Sequence, residues 1–196
     1  MMLVVLIMII SIDAPLRGAL FLGMLTLAIV LHELGHAWGY YVQGIPVKRV
    51  VIYGGGGFVE GTRSATDRQT EFIVAMGPLV NLALWAVCGL LAQTIGNGMA
   101  ASILSTFALL NLLLFAFNMI PVQPLDGGKL FHLGMKRLFK PMRALKITGA
   151  VGLFFSVLWY PAMLFLIFTV GWFLLFLPSI RLHYEMYKAG GGRRLN

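Results

Sequence analysis

The amino-acid sequence predicts an all-α polytopic membrane protein. Of its 196 residues, 59% are hydrophobic and only 11% charged, with a mean hydropathy of +0.88. Soluble domains carry roughly 25% charged residues. Several apolar runs approach or exceed the ~20 residues that a helix needs to cross a bilayer. Basic residues fall in three segments, around Lys48–Arg68, Lys129–Lys146 and Arg181–Arg194, which hold all but Arg17 of the 15 Lys and Arg. That bias marks cytoplasmic segments, so the net charge of +8 is an orientation signal and no nucleic-acid partner is expected. About five to six transmembrane helices and a short β-hairpin or re-entrant segment follow, as one domain over residues 1–196. The single Cys88 excludes an intrachain disulfide and reads as a small buried hydrophobe.

The elements follow in order. Leu3–Ile12 is short for a span, because ten helical residues cover only ~15 Å. Asp13, Pro15 and Arg17 make a polar break. Leu20–Tyr41 is long enough to cross. Val47–Tyr53 is rich in β-branched residues and runs into Gly54–Gly57, the pattern of a strand entering a flexible turn, with Phe58–Glu60 as a return strand. Glu71–Ile95 and Ser102–Met119 are further spans joined by the uncharged loop Gly96–Ala101. Gly127–Pro141 reads as a basic interfacial helix. Ile147–Leu177 would make ~46 Å of continuous helix against a ~30 Å hydrocarbon core. Two short spans with a turn near Trp159-Tyr160-Pro161 are expected there. Both flanks are basic, so the number of crossings should be even. His132 and His183 lie in basic interfacial segments and read as surface residues.

Chemistry concentrates in His32-Glu33-Leu34-Gly35-His36, near the end of an apolar helix. Ionisable groups are costly at membrane depth, about 2.5–3.5 kcal/mol for Asp, Lys or Arg on insertion scales. The i, i+4 spacing sets both imidazoles on one helix face, as for two ligands of one tetrahedral Zn²⁺ with the intervening Glu33 as general base. Counting ~1.5 Å per residue from Leu20 leaves this motif ~6–12 Å inside the cytoplasmic face. A helix starting at Ser102 reaches the same level near Asn118. There the stretch Asn118-Met119-Ile120-Pro121-Val122-Gln123-Pro124-Leu125-Asp126-Gly127-Gly128 breaks the helix with two prolines. Asp126 is the candidate third ligand, and irregular backbone at that depth suits a water-filled cavity.

Together, HELGH on one membrane helix, Gly77-Pro78-Leu79-Val80-Asn81 on the next, and Asn118…Pro121…Pro124-Leu125-Asp126-Gly127-Gly128 resemble the site-2 protease family of intramembrane zinc metalloproteases. The resemblance covers Leu20 to about Pro141 and is nearest to the compact bacterial branch that processes sporulation-factor precursors. No PDZ or CBS module is present in the sequence. The resemblance implies a three-helix catalytic core, one Zn²⁺ per chain on His32, His36 and Asp126, Glu33 as base, and an active site opening to the cytosol.

The implied function is a zinc-dependent endopeptidase of the cell membrane. It would cut transmembrane segments of membrane-tethered proteins and release a cytosolic domain. The partners are the lipid bilayer and a membrane-embedded protein substrate; a homo-oligomer or a regulatory membrane protein is compatible with this. Asn118 or Asn81 could bond substrate or oxyanion, or instead join helices. Gly54, Gly55, Gly56 and Gly57 are candidate substrate-side residues, as the hinge that would let the edge strand Val47–Tyr53 pair with an unwound substrate by β-augmentation. A hairpin that only packs on the core is the alternative. The rival function is a zinc transporter or zinc sensor using the same ligands. Transport has no need of a base beside the first His.

Overall fold

The computed structural model describes residues 15–53, 56–170 and 176–191. The expected short segment Leu3–Ile12 lies outside them, as do Gly54, Gly55, Arg193 and Arg194. The described elements are α1 (Pro15–Val42), β1 (Val47–Tyr53), β2 (Gly56–Gly61), α2 (Asp67–Ile95), α3 (Met99–Asn118), α4 (Asp126–Leu138), α5 (Pro141–Val170) and α6 (Ile180–Gly190). Two compact units result, residues 1–118 and 119–196.

In the first unit, α1, α2 and α3 pack against one another and the hairpin β1–β2 packs on α1. Pro15 opens α1 instead of ending a polar break, since a first-turn proline has no intrahelical N–H to lose. The helix stops at Gly44, whose φ of +64° is the left-handed conformation that glycine adopts without strain. Ile45, fully buried, then turns the chain into β1. The strands pair antiparallel, with Arg49 opposite Glu60 and Val51 opposite Phe58. Gly56 and Gly57 belong to β2, which corrects their reading as part of a hinge. Backbone pairing with Tyr53 and Ile52 holds them extended. Hydrogen bonds from the Lys48 ammonium and the Arg49 guanidinium (2.9 and 2.6 Å) hold the Glu60 carboxyl below its usual range.

Helix α2 begins with a capping box, Thr66 and Gln69 each bonding the other's backbone N–H, so two of its backbone donors need no help from water. Ala28, Cys88, Phe107 and Ala108 form the buried centre of the three helices, with Met24, Leu31, Leu84, Leu104 and Leu114 around it. Cys88 is buried, as its apolar setting implied.

In the second unit, α5 packs against α4 and α6. Here the expected turn at Trp159-Tyr160-Pro161 is corrected: α5 is one continuous helix through Pro161. Proline inside a membrane helix is tolerated because neighbouring groups re-satisfy the freed backbone, whereas a turn at that depth would bare several peptide groups. Trp159 Nε1 donates to Phe176 O (2.8 Å) and Tyr160 OH to Pro178 O (3.1 Å). From there α6 runs back antiparallel along α5, until Gly190 lies against Lys146.

Among the described residues, four helices are long and apolar enough to cross a membrane: Leu16–Val42, Asp67–Ile95, Met99–Asn118 and Pro141–Phe165. Large apolar side chains such as Val87, Leu90, Phe154 and Phe168 point outward and exposed, as a lipid-facing surface requires. This is a membrane protein.

Candidate metal centre

The centre is built on α1. His32, Glu33 and His36 are all buried, at 6, 5 and 9% exposure. Their burial is the first sign that they do not merely solvate a helix face, because uncompensated polar groups are expelled from such positions.

Each imidazole is anchored through Nδ1. His32 Nδ1 donates to Asn81 Oδ1 at 2.6 Å, and His36 Nδ1 donates to the backbone carbonyl of Ile73 at 2.8 Å. The orientation of Asn81 is itself fixed, because its amide nitrogen donates to Asn111 Oδ1 (2.8 Å) and to Ala28 O (3.5 Å). Asn111 in turn donates to Phe107 O (2.8 Å). Both asparagines have no exposed surface. The result is a directed chain of donors from α1 through α2 to α3. Such bonds matter in lipid, where apolar burial does not drive helices together; each contributes about 0.6 kcal/mol on average.

This anchoring determines what the other ring nitrogens present. A neutral imidazole that donates from Nδ1 has a lone pair at Nε2. The two Nε2 atoms stand 3.1 Å apart. Nitrogens bound at ~2.0–2.1 Å to one tetrahedral zinc stand ~3.3 Å apart. Two lone pairs facing each other at that spacing fit one cation between them. Backbone also makes room for it: a Cβ at Gly77 of α2 would fall on His36 Nε2 and reach within 2.8 Å of His32 Nε2. The donor set, its tautomers and its spacing therefore fit zinc.

Glu33, on the same helix, lies against the hairpin. A Cβ at Gly57 would lie 2.7 Å from Glu33 Cδ, so β2 passes its backbone directly beside the carboxyl group. Any residue but glycine at position 57 would displace Glu33.

Asp126 is the first residue of α4 in the second unit and is buried at 4% exposure. A helix N-terminus favours a carboxylate, and Lys129 Nζ lies 3.3 Å from Asp126 Oδ1. The loop before it is folded tightly over the start of α4. Val122 N–H donates to Ile120 O and Leu125 N–H to Val122 O. A Cβ at Gly127 would strike the Met119 carbonyl, and one at Gly128 the Val122 carbonyl. That is why two glycines follow the aspartate.

The structure also sorts the other candidates. Asn81 is committed to His32, Asn111 and Ala28 and has no surface, so of its two expected roles the helix-joining one is observed. Asn118 bonds back to Leu114 O at 3.0 Å. Gly57 is placed beside Glu33; Gly54 and Gly55 lie outside the described residues. His183 is a correction: it is fully buried, not a surface residue. His132 is half-buried, with Nδ1 3.2 Å from Thr148 Oγ1. Asn111 was missed, although an isolated amide in the run Leu109-Leu110-Asn111-Leu112 is itself a signal.

Comparisons with known proteins identify the family. The model of peptidase family M50 matches residues 20–99 and 86–159. A zinc metalloprotease of Methanocaldococcus jannaschii is 28% identical over 130 residues, 66% of this chain and 38% of that protein. Stage IV sporulation protein FB of Bacillus subtilis is 30% identical over 139 residues, 68% of this chain and 46% of that protein. The matches thus span less than half of these relatives. Among solved structures, the site-2 protease from M. jannaschii shares the fold, with a TM-score of 0.68 at 24% identity, covering 100% of this chain and 88% of that one. On the family match over most of its length, the chain belongs to peptidase family M50.

Proposed function

We propose that this protein is an intramembrane zinc endopeptidase that cuts transmembrane segments of membrane-tethered proteins and releases their cytosolic parts. One observation carries the reading: two buried imidazoles with Nδ1 tied back and Nε2 atoms 3.1 Å apart, with Glu33 between them in sequence. Asp126 is the third ligand in this reading, supported by its burial and its ligand-type oxygen. When bound, zinc supplies Lewis acidity, bringing the pKa of water down to about 7 and polarising the scissile carbonyl.

The chain's own residues do the rest. His32 and His36 hold the metal through Nε2, and Asn81 and the Ile73 carbonyl keep the rings from turning. Glu33 takes the proton of the attacking water on a carboxylate oxygen and passes it to the leaving amine. A substrate helix must unwind first, because a regular helix hides its peptide bonds. Strand β2 runs beside Glu33, and among the described residues its one strand partner is β1, so an extended substrate segment can add to the hairpin at the catalytic residue.

The test is cleavage of tagged single-span substrates by the purified protein in liposomes. Zinc removal with a strong chelator should stop cleavage, and zinc return should restore it. Cleavage that persists after the metal is shown to be gone would reject the reading. A zinc transporter would instead move the ion across the liposome without cutting anything.

The reading also sets an orientation, with the loop around Arg63, Lys136 and the C-terminal tail in the cytoplasm and Gly96–Ala101 outside. Single cysteines introduced at positions 63, 98 and 136 on a Cys88→Ala background report this by membrane-impermeant labelling of intact cells. Only position 98 should label. Labelling at 136 would overturn the orientation and the cytosolic opening with it.

A further inference from the structure

The buried His183 has no part in the mechanism above. It lies in the first turn of α6, outside the segment matched by the family model, and its whole side chain is enclosed. Its Nδ1 donates to Ser179 O at 2.8 Å, with Ser156 Oγ at 3.2 Å on the same side. A ring protonated at Nδ1 offers a lone pair at Nε2. That lone pair accepts the backbone N–H of Gln123 at 3.1 Å.

Gln123 belongs to the loop that delivers Asp126. Within that loop Val122 and Leu125 donate to loop carbonyls, and Pro121 and Pro124 have no N–H to place. Gln123 takes its acceptor from sixty residues further along the chain. The fold makes room for this contact, since a Cβ at Gly152 of α5 would fall on the ring of His183. The histidine is thus wedged between α5 and the loop, and its reach sets where the loop lies three residues before Asp126.

We infer that His183 is a positioning residue for the metal centre, holding the Asp126 loop through the Gln123 N–H and so setting the pose of the third ligand. The inference rests on Asp126 being that ligand. Partners bonded directly to a metal ligand typically alter affinity ~10–100-fold when lost; His183 acts one step further out, through the Gln123 backbone, and an effect of about 10-fold, the lower end of that range, is expected here.

The test compares His183→Asn, His183→Gln and His183→Leu. Asn places its amide where Nδ1 stands and cannot reach Gln123; the longer Gln places an oxygen near the Nε2 position. Zinc affinity is read on purified full-length protein by competition with a chromophoric chelator, and ligand geometry by the visible bands of the cobalt-substituted protein. His183→Asn and His183→Leu should bind zinc about 10-fold more weakly with shifted cobalt bands, and His183→Gln should approach the unaltered protein. In an Asp126→Asn background, His183→Asn should cause no further loss.

Equal affinities for His183→Asn and His183→Gln would overturn the inference, and so would full additivity with Asp126→Asn, which is the mark of a general packing defect. If His183→Leu does not fold, the Asn and Gln pair decides alone. If Asp126→Asn leaves zinc affinity unchanged, the ligand assignment itself fails, a result distinct from the others, and the inference falls with it.

Discussion

Replacing Glu33 by Gln is expected to lower the rate of peptide cleavage ~10²–10⁴-fold while one zinc per chain is retained. The amide has nearly the shape of the carboxylate, so the contact with Gly57 and the burial of position 33 can be kept. What is lost is a basic oxygen able to take a proton from water. His32 and His36, with their Nδ1 anchors on Asn81 and Ile73, do not depend on that oxygen. Zinc content by elemental analysis and cleavage in the same preparation check both halves. Near-normal turnover by the zinc-loaded Gln variant would remove Glu33 from the role of general base.

A large effect on metal binding is expected from a residue that binds nothing. Gly77→Ala should weaken zinc binding at least ~10–100-fold, the loss seen when a metal's immediate surroundings are disturbed. The added methyl would fall on His36 Nε2 and within 2.8 Å of His32 Nε2, where the cation belongs. Alanine is the better helix former by ~1 kcal/mol, so the loss cannot be ascribed to a weakened α2. Gly89→Ala on the same helix is the control, since its Cβ would meet nothing closer than Ala108 Cβ at 4.0 Å. Zinc titration of the two variants separates them. Normal affinity in Gly77→Ala would show that α2 does not approach the imidazoles so closely.

The helix of the candidate metal centre was readable from sequence because chemistry and periodicity coincide there: two histidines at i, i+4 on an apolar helix have the spacing of two zinc ligands. Asp126 could be singled out because prolines before it and glycines after it mark a backbone that folds around a point. The hairpin was readable from β-branched residues next to glycines, although Gly56 and Gly57 turned out to be paired strand. Pro161 misled, since a proline that would end a soluble helix can sit inside a membrane one. His183 misled for a related reason. Arg181 and Glu185 on either side suggest a solvated helix, and only the three-dimensional path of α6 shows that position 183 faces inward, onto Gly152. No local pattern carries that information. It depends on which segments α6 lies against.

The donor chain from His32 through Asn81 and Asn111 to Phe107 has a consequence for the life history of the molecule. None of its hydrogen bonds involves the metal. Both rings are held by protein groups on the side away from the ion, so the imidazoles are aimed before any ion arrives. The helices can therefore assemble in the bilayer first and be charged with metal afterwards.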